Sequence, residues 1–194
     1  LEVILAFNHE NQALSDVKVR KAINYAIDKQ GFVDTVWGGK GLILGSMVPP
    51  SDPWYEDRSG DYPYDPDQAR QLLNEAGYGD GLTLRLRVPT LPYATDGAQY
   101  VASQLKEVGI SVVVDELEFP ARWIDVVMAQ TDYDMTIIAH AEPRDFVQFG
   151  NADYYWNYDN PEVAELIIEA DRSTEAEMIA HMQKAAKLVS DDAA

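Results

Sequence analysis

Between Leu82 and Ala139 the apolar residues switch repeatedly between a strand period and a helix period, and that alternation limits the chain to few folds. Leu82, Leu84, Leu86 and Val88 alternate with Thr83, Arg85 and Arg87, the period of two of a strand with one wet face. Ala98, Val101, Ala102, Leu105 and Val108 then fall on one side of a helix closed by Gly109. Ile110 to Val114 is a nearly continuous β-branched run, which predicts a strand covered on both faces. Pro120 opens a helix carrying Trp123, Ile124, Val127 and Met128, and Met135 to Ala139 reads as a buried strand. The order strand–helix–strand–helix–strand implies an α/β domain with helices packed on a mixed β-sheet.

The flanking segments fit the same picture. Glu2 to Phe7 suits a strand. Asp16 is placed to cap a helix with Val19, Ala22, Ile23, Ala26 and Ile27 on one face, and Gly31 separates it from a short helix with Phe32, Val33, Val36 and Trp37. Residues 38–64 are rich in Gly, Pro, Ser, Asp and Tyr and predict a long irregular loop, a feature that is commonly functional or packed on itself. Asp65 caps, Pro66 takes the first helical position, and Ala69, Leu72, Leu73 and Ala76 form a stripe ended by Gly77. Asn160-Pro161 begins a helix with Val163, Leu166, Ile167 and Ala170. Thr174-x-x-Glu177 is a capping box ahead of Met178, Met182, Ala185 and Val189. The aromatic run Tyr154 to Tyr158 reads as packing against these last helices. With no internal repeat, residues 1–194 are read as one domain.

Composition removes several functional classes. The chain carries 33 acidic against 15 basic residues, a net charge of −18. A phosphate-tracking surface needs clustered cations, so nucleic acid is not an expected partner. There is no cysteine, which excludes a disulfide scaffold, a thiolate zinc site and a cysteine nucleophile. No apolar run approaches the roughly 20 residues that cross a bilayer, so no transmembrane segment is expected. Leu1 follows no signal-peptide pattern, and both ends read as cuts through a longer chain.

Short motifs nominate no chemistry. Ser15-x-x-Lys18 lacks the partner motifs of penicillin-recognising enzymes and reads as a helix entry. Gly38-Gly39-Lys40-Gly41 lacks the hydroxyl residue and spacing of a phosphate loop. Asp61, Asp65 and Asp67 fail the calcium-loop pattern at Pro66 and Leu72. His9, His140 and His181 lie far apart, so no metal site, cofactor or catalytic residue is expected. His140 ends a buried strand, where α/β folds place their ligand crevice, and serves either as a packed residue or a ligand contact. Acidic pairs such as Glu116 with Glu118, or Asp132 with Asp134, leave a carboxylate-dependent hydrolase as an alternative.

Several segments, in order, resemble a known family. Val17-Lys18-Val19-Arg20-Lys21-Ala22-Ile23-Asn24-Tyr25-Ala26-Ile27-Asp28 is similar to the VRxAINYAID signature of the family 5 solute-binding proteins, the oligopeptide- and dipeptide-binding receptors of ABC importers. Tyr64 to Tyr78 resembles the family's YDPxxAxxLLxEAGY, and Gln104 to Ile110 its QLxxxGI step. Tyr133-Asp134 and Tyr158-Asp159-Asn160-Pro161-Glu162-Val163 complete the series. These segments are caps, core stripes and glycine stops, so they specify a fold and not a chemistry.

The resemblance implies a periplasmic binding protein-like (type II) lobe, the second of a two-lobed receptor whose first lobe and returning C-terminal segment are absent. It implies a non-enzymatic, extracytoplasmic substrate-binding component, free in a periplasm or lipid-anchored. That component would take a peptide or similar small solute between its lobes and deliver it to permease subunits. Some relatives suggest instead a ligand-sensing lobe of a regulator. Peptide-binding members carry a Trp and then an Asp after the strand that begins Tyr-Asp. Here His140 stands where the Trp is expected and the following segment is shortened. Glu142 or Asp145 could supply the anion, alternatively serving as a helix cap or as a partner of Arg144. Trp123 resembles a cleft-facing Trp of the family, with core packing as its alternative. The expected ligand-binding set is therefore His140, Glu142, Asp145, Trp123 and Arg144.

Overall fold

The computed structural model describes residues 1–142 and 144–194. Four strands, β1 (Glu2–Phe7), β2 (Leu82–Pro89), β3 (Ile110–Leu117) and β4 (Met135–His140), form one mixed sheet in the order β1-β4-β2-β3. β1 runs antiparallel to β4, from Glu2 opposite His140 to Phe7 opposite Met135. β2 runs parallel to both β3 and β4. The crossovers are α4 (Pro92–Glu107) between β2 and β3, and a helical segment between β3 and β4.

Each face of the sheet has its own core. Leu84, Leu86 and Val88 of β2, Met135 and Ile137 of β4 and Phe7 of β1 pack with α1 (Val17–Ala26), α3 (Pro66–Glu75) and α4. On the opposite face, Ala6 and Ile138 join Trp123, Val127, Phe149 and Trp156 with α6 (Pro161–Ala170) and α7 (Glu175–Asp191). β1 and β4 are thus covered on both sides. The helix ends follow from local chemistry: Asp16 accepts from the Lys18 N–H, Asp65 from Asp67 and Gln68, and Asn160 from Glu162 and Val163. Each satisfies amide groups that the first helical turn leaves open. Gly77 and Gly109 follow α3 and α4 with φ of 86° and 93°, the left-handed region that suits a helix stop.

Three expectations need correction. β3 is the outer strand beside β2, so its β-branched run is covered on one face only, and Val113 is 54% exposed. The segment after Pro120 is a short α5 (Ala121–Trp123) that widens into a π-helix, Ile124–Ala129. The wider turn rotates part of the buried face: Trp123 and Val127 point inward as expected and Val126 joins them, while Ile124 and Met128 are 45% and 38% exposed. Gly31 lies inside α2 (Lys29–Val36), where its N–H donates to the capping Asp28; the chain breaks before it, at Ile27-Asp28. A 3₁₀ helix at Asp145–Gly150 has no counterpart in the sequence reading.

Residues 38–65 contain turns and bends but no helix or strand. The loop is fixed from within by buried Met47, Val48 and Trp54, and from outside by Tyr62, whose hydroxyl donates to the Ser190 carbonyl at 2.6 Å. The Lys29 ammonium donates to the carbonyls of Asn24 and Tyr62, tying loop to helix.

Candidate ligand-binding site

Parallel strands end together, and a crevice outside their carboxyl ends is where open α/β sheets bind ligands. Here β2 ends at Pro89 and β4 continues to His140. Past Pro89 the Ala139 N–H has no ladder partner from β2 and donates instead to the Tyr93 hydroxyl at 3.1 Å. Tyr93 stands at the start of α4 and stacks on Trp37, with ring centroids 5.8 Å apart. The strand end is thereby fixed by an aromatic side chain in place of a neighbouring strand.

His140 closes β4 and is 8% exposed. Its Nδ1 lies 3.0 Å from Asp145 Oδ2, and its Nε2 lies 2.9 Å from the Tyr155 hydroxyl. A carboxylate oxygen accepts, so Nδ1 is the donor towards Asp145, and Nε2 pairs with the Tyr155 hydroxyl. Burial pushes the Tyr155 phenol well up, keeping its O–H available as the donor. The imidazole is also nearly parallel to the Tyr155 ring, with centroids 6.1 Å apart, and lies beside Trp156. Both ring nitrogens are therefore engaged, leaving neither to activate a water or hydroxyl.

Asp145 begins the 3₁₀ helix, and its side chain is 14% exposed. Oδ2 also accepts from the Glu142 N–H at 3.3 Å. Its other oxygen has no hydrogen-bond partner among the described residues. Glu142 is exposed. Arg144 has a φ of 63° and turns away from Asp145 to pair with Asp171 at 2.7 Å. Pro143, between them, lies outside the described residues, as does the capping role that would have involved it.

The structure thus brings His140, Glu142 and Asp145 together and directs Arg144 elsewhere. Trp123 lies behind them: it is 3% exposed, donates its indole N–H to Thr136 Oγ1 at 3.1 Å, meets Tyr155 edge-on and packs at a tilt beside Phe119. It presents no open face. Tyr155 is the residue the sequence reading did not select as part of the site. Its only signal was membership of the aromatic run Tyr154–Tyr158, whose Tyr155, Trp156 and Tyr158 are core residues as expected.

The other candidates resolve into structural roles. Asp132 and Asp134 are held by Arg85 at 2.7 and 3.0 Å, and Asp134 also accepts the Arg85 backbone N–H. Lys18 pairs with Glu75, not with Ser15. Asp61 accepts from Ser190. His181 faces Glu169 at 3.5 Å. Among the described residues no group of three or more His, Cys, Asp or Glu side chains is arranged to hold a metal ion, and no helix is long and apolar enough to cross a membrane.

A mixed sheet with helices on both faces and a polar cluster at its strand ends is an arrangement in which α/β folds hold ligands. The chain belongs to the bacterial extracellular solute-binding proteins, family 5, whose middle region matches residues 2–142. It is 47% identical over 77 residues to the heme-binding protein A of Haemophilus influenzae, covering 40% of this chain and 14% of that one. It is 32% identical over 120 residues to the dipeptide-binding protein of Escherichia coli, covering 59% and 22%. Among solved structures, a dipeptide-binding protein of a Pseudoalteromonas species in complex with Met-Leu superposes with a TM-score of 0.89 at 25% identity, covering 98% of this chain and 40% of that one. The Brucella suis NikA in complex with Fe(III)-EDTA gives 0.81 at 24% identity, covering 98% and 43%. The chain therefore spans well under half the length of these relatives.

Proposed function

We propose that these residues form the second ligand-binding lobe of an extracytoplasmic, non-enzymatic receptor that holds a peptide or similar small solute between two lobes and delivers it to the permease of an ABC importer. Membership of family 5 across residues 2–142 carries this reading, and the dipeptide-binding relatives support the ligand class. A cleft between lobes buries most of a small ligand, and closure is favoured only by contacts made to both lobes.

Within this lobe the anionic contact is Asp145. Its carboxylate is oriented by the His140 ring and the Glu142 N–H through one oxygen, leaving the other for a cationic group of the solute. Glu142 is solvated and held by no comparable scaffold. The full-length receptor, purified gently and examined by native mass spectrometry, is expected to retain a small solute that leaves on denaturation. Asp145→Asn is expected to weaken binding of that solute by about tenfold or more, the scale of a charge-assisted contact, and Glu142→Gln to change it by less than about threefold. Equal effects of the two substitutions, or turnover of the solute, would overturn the assignment.

A further inference from the structure

Tyr155 is buried in an aromatic core where a phenylalanine ring would fill the same space. Its hydroxyl is the part that packing does not require. Among the described residues that hydroxyl has one partner, His140 Nε2 at 2.9 Å. The phenol is boxed in around this contact: Trp123 meets it edge-on, Tyr133 is tilted against it with centroids 6.1 Å apart, and the Tyr133 hydroxyl donates to the Tyr155 carbonyl at 2.8 Å.

A contact between a phenol and a ring nitrogen can run in either direction. With a hydrogen on Nε2, the ring would donate to the phenol oxygen, and the Tyr155 O–H would find no acceptor among the described residues. A buried donor without a partner is costly. The arrangement that satisfies every group has Tyr155 donating and Nε2 accepting, with the ring hydrogen on Nδ1, which faces Asp145 Oδ2 at 3.0 Å. What one ring nitrogen meets thus sets what the other offers. Apart from this ring, Asp145 has no ion-pair partner among the described residues, so the His140 ring is the one side chain that orients its carboxylate.

We propose that Tyr155 is a positioning residue of the ligand site: by holding Nε2 of His140 it keeps the imidazole in the one orientation that points Nδ1–H at Asp145, so that one carboxylate oxygen is taken and the other faces the solute. The proposal rests on the reading of Asp145 as the contact for a cationic group. Oδ2 takes both donors on offer, the His140 ring and the Glu142 N–H at 3.3 Å. Oδ1 is left without a partner among the described residues, aimed by what happens at Oδ2. Without the Tyr155 hydroxyl the ring is secured at one nitrogen only. A turned ring presents a lone pair or a carbon to Oδ2, and the carboxylate loses the fixed direction that a specific contact needs. Tyr155 touches no solute in this scheme; it acts from behind the site, through His140.

Nitrogen-15 NMR of the His140 ring in the full-length receptor, at about pH 8 and so above the ordinary imidazole range, tests the geometry without any variant. The hydrogen is expected on Nδ1, with Nε2 as an acceptor; a hydrogen on Nε2 overturns the proposal. Calorimetric titration with Met-Leu, the dipeptide held by the Pseudoalteromonas relative, tests the role. Tyr155→Phe in the full-length receptor is expected to weaken Met-Leu binding by about fivefold or more, and by less than about twofold when Asp145→Asn is already present. Equal losses in the two backgrounds mean that Tyr155 only packs, and they overturn the proposal, as does unchanged binding in Tyr155→Phe alone. An intact receptor that does not bind Met-Leu, or an Asp145→Asn variant that binds it equally well, overturns the contact reading and the proposal with it. A loss in Asp145→Asn without one in Tyr155→Phe overturns the proposal alone.

Discussion

Arg20 is 5% exposed and makes four hydrogen bonds, all to backbone carbonyls: two to Asp192, one to Leu14 and one to Ser15. A guanidinium has five N–H donors in a fixed fork, which is why one side chain can hold the end of α7 against the start of α1. His9 lies in the same pocket. Burial, and after it the Arg20 charge, pushes its imidazole down to about 3 against a smaller opposing effect of Asp192. In the unfolded chain the ring returns to about 6.5. Between those values the unfolded state binds the extra proton, so stability is undiminished above pH 6.5 and falls progressively as the pH drops towards 3. Replacing His9 by Gln is expected to flatten the loss of stability between pH 7 and pH 5, by up to about 2 kcal/mol at pH 5. Urea unfolding of both proteins at the two pH values measures it; parallel losses would show that His9 is not the responsible group. Residues whose partner is local were legible in the sequence: Asp16, Asp65 and Asn160 cap as expected because the amides they serve lie within three positions. His140 was picked out by its place at a strand end, but Tyr155, its partner across fifteen positions, was not, because only the folded chain sets that distance.

Elements were legible where one period runs undisturbed. The strand and helix assignments for β1, β2, β4, α1, α3, α4, α6 and α7 follow from alternation, helical stripes and caps. Two of the three failures have distinct causes. An apolar run does not say whether a strand is central or at an edge, since that depends on its neighbours, and β3 proved to be an edge. A helical stripe presumes 3.6 residues per turn; Trp123 and Val127 are buried as expected, but the π-helix at Ile124–Ala129 exposes Ile124 and Met128 and buries Val126. Two valines make the comparison quantitative. Val127 is fully buried on the inner face of the π-helix, whereas Val113 sits on the outer face of β3. Val127→Ala is expected to cost about 2–3 kcal/mol through lost burial and a residual cavity. Val113→Ala should stay within about 0.5 kcal/mol. Equal losses in denaturant midpoints at unchanged slope would mean that the two elements are not packed as described.

At the scale of the whole molecule the dominant feature is charge. The ion pairs of the surface, such as Arg87 with Asp115 and Asp132, and Lys184 with Glu162, use most of the scarce cations locally. The remaining excess, −18 in a chain of 194 residues, is unmatched. Exposed pairs contribute little each and weaken with salt, while the repulsion among unmatched carboxylates acts over the whole surface and is also screened. The two effects have opposite signs, and the size of the excess decides between them. Screening tightens from about 30 Å at 10 mM salt to about 10 Å at 100 mM, which removes repulsion between distant carboxylates and leaves contacts within a few ångströms partly intact. The melting temperature is therefore expected to rise by a few degrees between about 10 and 200 mM sodium chloride at pH 7. A fall over that range would show that the Arg85–Asp132–Arg87 network and its counterparts outweigh the net charge. The same field favours cationic over anionic solutes near the surface, so salt that screens the repulsion also weakens that preference.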